Sequence, residues 1–133
     1  MAQRWRKFLL FNMSAISTTR PTFEIDATGE AIGRLATKIV EALQGKNHPG
    51  YTANMDNGDF VVVKNASKVK VTGKKLDQKQ YYSYSGYPGG LAVKKLSTVM
   101  EKDPADAIRR AVSKMLPKNR LRQPRLKRLT VHN

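Results

Sequence analysis

Phe23-Glu24-Ile25-Asp26-Ala27-Thr28-Gly29 opens the most regular part of this chain. Apolar and polar residues alternate over Phe23 to Asp26, as on a strand with one buried face, and Ala27-Thr28-Gly29 turns away from it. Ile32, Leu35, Ala36, Ile39 and Leu43 then recur at the spacing of one helical face, and Gly45 stops the helix. A basic, turn-rich link through Lys46 and His48 leads to Asp59-Phe60-Val61-Val62-Val63-Lys64, a β-branched run that reads as a strand covered on both faces. A strand, a crossover helix and a second strand predict a parallel pair, and so an α/β domain.

Further along, Lys68-Val69-Lys70-Val71-Thr72-Gly73-Lys74-Lys75 alternates valine with lysine and predicts a strand that packs on one side and shows ammonium groups on the other. It feeds a loop, Tyr81-Tyr82-Ser83-Tyr84-Ser85-Gly86-Tyr87-Pro88-Gly89-Gly90, whose four tyrosines and three glycines suit contact more than core packing. Thr98-Val99-Met100-Glu101 has capping-box spacing, and Asp103-Pro104 reads as N-cap and first residue of a helix buried along Ile108, Ala111, Val112 and Met115. Pro117 ends it. An extended basic connector to Arg125 is expected next, then a strand-like stretch from Leu126 to Val131.

The 133 residues suit one domain, with 23–133 as its extent and 1–22 as a basic arm lying along a partner. That acid-free arm is also compatible with an organelle transit peptide. Lys+Arg 25 against Asp+Glu 10 gives a net charge of +15, whose self-repulsion calls for a polyanionic partner, nucleic acid first. No stretch approaches the ~20 apolar residues of a membrane-spanning helix, so no membrane is expected. The chain has no Cys, and His48 and His132 stand far apart; disulfides and thiolate chemistry are excluded, and no metal is expected.

A strand, Gly29 and a helix invite a phosphate-binding reading, but Gly29-x-x-x-Gly33 lacks the three-glycine spacing, and neither Gly45-Lys46-Asn47 nor Gly73-Lys74-Lys75 completes a P-loop. A nucleotide-dependent enzyme would need a carboxylate, histidine or metal pair opposite that helix. Asp56 and Asp59 flank a turn and His48 has no evident partner, so neither catalysis nor a cofactor is expected.

After Asp106 the chain has no acid, which leaves Arg109, Arg110, Lys114, Lys118, Arg120, Arg122, Arg125, Lys127 and Arg128 as one cationic block anchored by interspersed apolar residues. Lysine and arginine neutralise phosphates, and arginine adds a planar fork that fixes geometry. Tyrosine stacks on unpaired bases, which favours RNA over duplex DNA. From charge and stacking, the residues expected to bind RNA are this block with Lys74, Lys75, Tyr81, Tyr82, Tyr84 and Tyr87. The basic segment after Pro117 is expected to face the tyrosine loop.

Ile25-Asp26-Ala27-Thr28-Gly29, Gly33-Arg34-Leu35-Ala36, Asn65-Ala66-Ser67-Lys68, Thr72-Gly73-Lys74-Lys75, Ser85-Gly86-Tyr87-Pro88-Gly89-Gly90-Leu91 and Met115-Leu116-Pro117-Lys118-Asn119 occur in this order. Together they resemble the L-thirteen family of large-subunit ribosomal proteins, bacterial type, from about Phe23 to Val131. The resemblance implies a three-layer α/β/α core with a mainly parallel four-stranded sheet, no catalysis, and attachment to large-subunit ribosomal RNA during assembly. It places Lys46, Lys68, Lys74, Lys75, Tyr81, Tyr82, Ser85, Gly86, Tyr87, Lys118, Asn119 and Arg120 in RNA-facing segments. Neighbouring large-subunit proteins are the further partners implied, no homo-oligomer is expected, and the location is the ribosome of the cytoplasm or of an organelle. Ser83-Tyr84 stands where members of that family commonly carry an Arg-His pair, so stacking replaces charge there. A basic regulatory protein that binds RNA away from the ribosome shares the same charge pattern.

Overall fold

The computed structural model describes residues 20–133; most of the basic arm lies outside them. Strand β1 (Thr22–Asp26) leads into helix α1 (Ile32–Gln44), followed by β2 (Phe60–Lys64), a single 3-10 turn at Ala66–Lys68 and the short helix α2 (Lys75–Gln78). Then come β3 (Gln80–Tyr84), β4 (Leu91–Lys95), α3 (Leu96–Lys102), α4 (Pro104–Met115), α5 (Arg122–Lys127) and β5 (Leu129–Val131).

The main sheet is parallel, in the order β1-β2-β5. Register brings Ile25, Val63 and Val131 into one row and Val61 and Leu129 into another, all pointing to the same side. Leu35, Ile39 and Leu43 of α1 and Ile108 and Val112 of α4 close over these rows in one continuous core. The α1 face is therefore the one its apolar spacing predicts. Gly45, at φ 75°, ends α1 by donating to the Ala42 carbonyl, and the Lys46 amide reaches back to the Glu41 carbonyl. Asp103 caps α4 by accepting from the Ala105 amide at 3.0 Å, with Pro104 in the first turn as expected.

Several expectations are corrected. Among the described residues the parallel sheet has three strands, not four. The valine–lysine stretch does alternate, with Val69 buried and Lys68 and Lys70 exposed. It pairs, however, only through an isolated bridge between Lys70 and Ala31 at the head of α1, before the chain turns into α2. A second helical layer is also absent among the described residues: Glu24, Phe60, Lys64 and Thr130 on the far face of the sheet are exposed, and Val62 is only half-buried. An unbroken valine run does not reveal which of its two sides a helix covers. The capping box gives way to Lys95 as N-cap without a side-chain bond, because Thr98 lies inside α3. The connector after Pro117 folds its second half into α5.

Asp56 organises the end of the chain against the start. Arg128 grips its carboxylate with both terminal nitrogens, at 2.5 and 2.7 Å, and spends a third bond on the Leu43 carbonyl at the end of α1. Arg125 adds a contact at 3.2 Å, and Arg20 bonds the Asp56 backbone carbonyl at 2.9 Å. The Arg128 hydrogen bonds hold the Asp56 carboxyl below its ordinary pKa, against the opposing effect of burial. His48, expected to lack a partner, lies 2.8 Å from the buried Asp59.

Candidate nucleic-acid interface

The tyrosine-rich stretch is a β-hairpin. Antiparallel pairing sets Tyr81 opposite Lys94, Tyr82 opposite Val93 and Tyr84 opposite Leu91, which puts the tyrosines on two faces. A turn closed by the Ser85 amide on the Gly90 carbonyl and the Gly90 amide on the Tyr87 carbonyl carries Tyr87 at the tip. Gly86 and Gly89 supply the positive φ angles this turn needs, 91° and 76°. The stretch was expected to be a loop because its turn residues dominate. Its aromatic half is strand-forming, and Leu91-Ala92-Val93 provides the partner.

Tyr81 points inward. It is 7% exposed, packs with Leu96, Val99 and Ala107 in a second small core, and has Arg110, Lys114 and Lys79 at 5.2, 5.5 and 5.6 Å from its ring centre. Burial pushes its phenol pKa up. Through Tyr81 the hairpin thus packs on α3 and α4 rather than on the segment after Pro117. Tyr82 and Tyr84 point outward, each 66% exposed, and the tip residue Tyr87 is 75% exposed. Leu91 and Val93 share the outward face with Tyr82 and Tyr84 and are also exposed. The result is an uncharged, ring-bearing strip that ends at Lys95 on the same face, while the exposed Lys94 pairs with Tyr81 on the other. Sequence reading missed these four β4 residues; period-two pairing with the tyrosines was the signal that could have found them.

The cationic block divides into three groups. Arg109, Lys114, Lys118, Arg120 and Lys127 are exposed, as are Lys46, Lys68, Lys74, Lys75, Ser85, Gly86 and Asn119. Arg110 and Arg122 are half-buried: Arg110 bonds Asp106 at 2.8 Å, and Arg122 donates to the Ser113 hydroxyl at 2.8 Å. Arg125 and Arg128, at 2% and 6% exposed, are buried on Asp56. Their charge braces α5 and the entry to β5 instead of facing solvent. Spacing alone could not sort these groups, because the acid that takes the two arginines lies 69 and 72 residues away along the chain.

Alongside α4, the head of α1 and α2 enclose a cleft of about 510 Å³. Ile32, Val71, Leu96, Ala111 and Met115 supply apolar lining, and Lys70, Lys75, Lys79 and Lys114 stand around it. Lys79 and Lys114 are the same lysines that flank the Tyr81 ring, so the cleft and the hairpin share a wall.

The sequence model of the ribosomal protein L13 family matches residues 20–133. Among similar proteins, the large ribosomal subunit protein uL13 of Aquifex aeolicus (strain VF5) is 51% identical over 113 residues, 85% of this chain and 78% of that one. Its counterpart in Thermotoga petrophila is 52% identical over 113 residues, covering 85% and 76% of the two chains. That of Nitratidesulfovibrio vulgaris is 46% identical over 122 residues, covering 92% and 85%.

Proposed function

Because this chain belongs to the ribosomal protein L13 family, we propose that it is a structural, non-catalytic constituent of the large ribosomal subunit. It binds large-subunit ribosomal RNA, meets neighbouring ribosomal proteins, and supports subunit assembly and translation in the cytoplasm. The observation that carries the RNA reading is the outward face of the hairpin: Tyr82, Tyr84 and Tyr87 stand exposed beside lysines on a chain of net charge +15. Exposed rings of that size cost solvation unless a partner covers them, and bases do so by stacking while the flanking cations neutralise phosphates.

The residues proposed to meet RNA are the exposed ones: Tyr82, Tyr84, Ser85, Gly86 and Tyr87 on the hairpin, Lys46 after α1, Lys68, Lys74 and Lys75 between β2 and the end of α2, and Arg109, Lys114, Lys118, Asn119, Arg120 and Lys127 toward the C-terminus. Arg110 and Arg122 contribute through their free edges. Tyr81, Arg125 and Arg128 act from behind, holding the elements that carry the others. Residues 23–133 serve as a single RNA-binding domain and 1–22 as an arm along the partner.

A salt series of binding to large-subunit ribosomal RNA fragments tests this reading. Affinity falls steeply with salt if many phosphates are contacted, and a flat dependence sinks the proposal. Co-sedimentation separates it from a regulatory role away from the ribosome, since a resident component stays with the large subunit through a moderate-salt wash.

A further inference from the structure

The cleft beside α4 has a composition that neither core packing nor surface solvation explains. Its interior is apolar, yet it is open to solvent, and among the described residues no acid lines it. A neighbouring cleft of about 600 Å³ continues past Gly29, Arg34 and Thr37; its only acid, Glu30, is engaged by Lys38. Between the two lies the head of α1, where Ala31 gives no side-chain cap and the first turn holds no acid. The positive end of a 13-residue helix therefore adds to the field of the lysines.

An apolar floor with a cationic rim matches one chemistry in particular, a flat heteroaromatic ring joined to phosphate. The volume suits a single nucleotide and is too small for a helical or folded partner. On the premise that the chain binds ribosomal RNA, we propose that this cleft receives one unpaired nucleotide of the bound RNA. Its base lies against Ile32, Val71 and Met115, and its flanking phosphates lie between Lys70, Lys75 and Lys114. The shared wall at Lys79 and Lys114 joins the hairpin to the cleft, so a strand that leaves the hairpin reaches the cleft past two cations. A free mononucleotide has the same chemistry, and the test separates the two.

Gly33→Leu is the informative variant. A Cβ at Gly33 meets nothing within 4 Å, and the residue lines both clefts, so leucine fills the space without displacing the core. Leucine is also the better helix former, so the melting temperature is expected to hold or rise. Binding to a large-subunit RNA fragment that the wild-type chain retains is expected to weaken roughly 5- to 100-fold, the effect of losing one stacked base, with an unchanged salt slope. In parallel, thiouridine-substituted RNA photo-crosslinked to the wild-type chain is expected to label peptides containing Val71 or Met115. Unchanged affinity of the variant together with absence of label from those peptides overturns the nucleotide cleft and leaves the RNA-binding function standing. Failure of the wild-type chain to retain any RNA fragment removes both. Saturable shifts of cleft methyl signals on adding millimolar adenosine or uridine monophosphate, with crosslinks only elsewhere, reassign the cleft to free nucleotides and overturn the RNA-strand proposal.

Discussion

Asp56→Asn is the substitution that most directly probes how this basic chain holds itself together. The change keeps shape and one hydrogen-bond acceptor but removes the charge that Arg128 meets at 2.5 and 2.7 Å and Arg125 at 3.2 Å. Were the pair solvent-exposed, the loss would be under ~1 kcal/mol. The two guanidinium groups are 2% and 6% exposed, however, and among the described residues the Arg128 Nε already lacks a partner. Removing the carboxylate strands charge out of water, for which ~3–5 kcal/mol is the appropriate scale. In a domain of this size that corresponds to a fall in melting temperature of roughly 10–20 °C. Urea unfolding is the assay, with the midpoint falling and the slope preserved. Arg128→Met and the double variant close a cycle, in which the double variant is expected to be more stable than the sum of the single losses predicts, by ~0.5–3 kcal/mol. A loss below ~1 kcal/mol for Asp56→Asn, or strict additivity in the cycle, would refute the brace.

Three further outcomes follow from the same geometry. Alanine at Tyr82, Tyr84 or Tyr87 is expected to leave thermal stability within ~0.5 kcal/mol and to weaken RNA binding by roughly 1–3 kcal/mol per base engaged; filter binding and melts measured on the same samples would expose a structural role if stability fell instead. Tyr81→Ala is expected to do the reverse, costing ~3 kcal/mol or more of stability through the cavity it opens, and an unchanged melt would contradict its buried position. The Asp56 carboxyl is held below its unfolded pKa, so its contribution is complete above about pH 4 and is lost as pH falls through the folded value. Urea midpoints measured from pH 6 down to pH 2.5 are expected to drop more steeply for the wild-type chain than for Asp56→Asn, and parallel profiles would remove Asp56 from the acid response.

Helix α1 was legible because its buried face is written at i, i+3, i+4 spacing, and α4 because Asp103-Pro104 marks its start with local chemistry. The β1–β2 pair followed from a handed crossover, again a short-range constraint. The tyrosine stretch shows where such reading stops. Glycine and proline announced a turn correctly, but whether Tyr82 or Tyr81 would face outward depended on the register with Leu91-Ala92-Val93, and a shift of one residue exchanges the two faces.

From sequence alone, the chain's charge of +15, its lack of cysteine, its parallel α/β beginning and its aromatic, glycine-rich contact segment were all determined, because each is a property of composition or of neighbours a few residues apart. Tertiary structure alone decided which cations are offered. It set Arg125 and Arg128 on Asp56 from 69 and 72 residues away, turned Tyr81 into a core residue under Arg110, and joined α1, α2 and α4 around a lysine-rimmed cleft. The physical reason is that burial and ion pairing depend on proximity in space, while local spacing encodes only the faces of single elements.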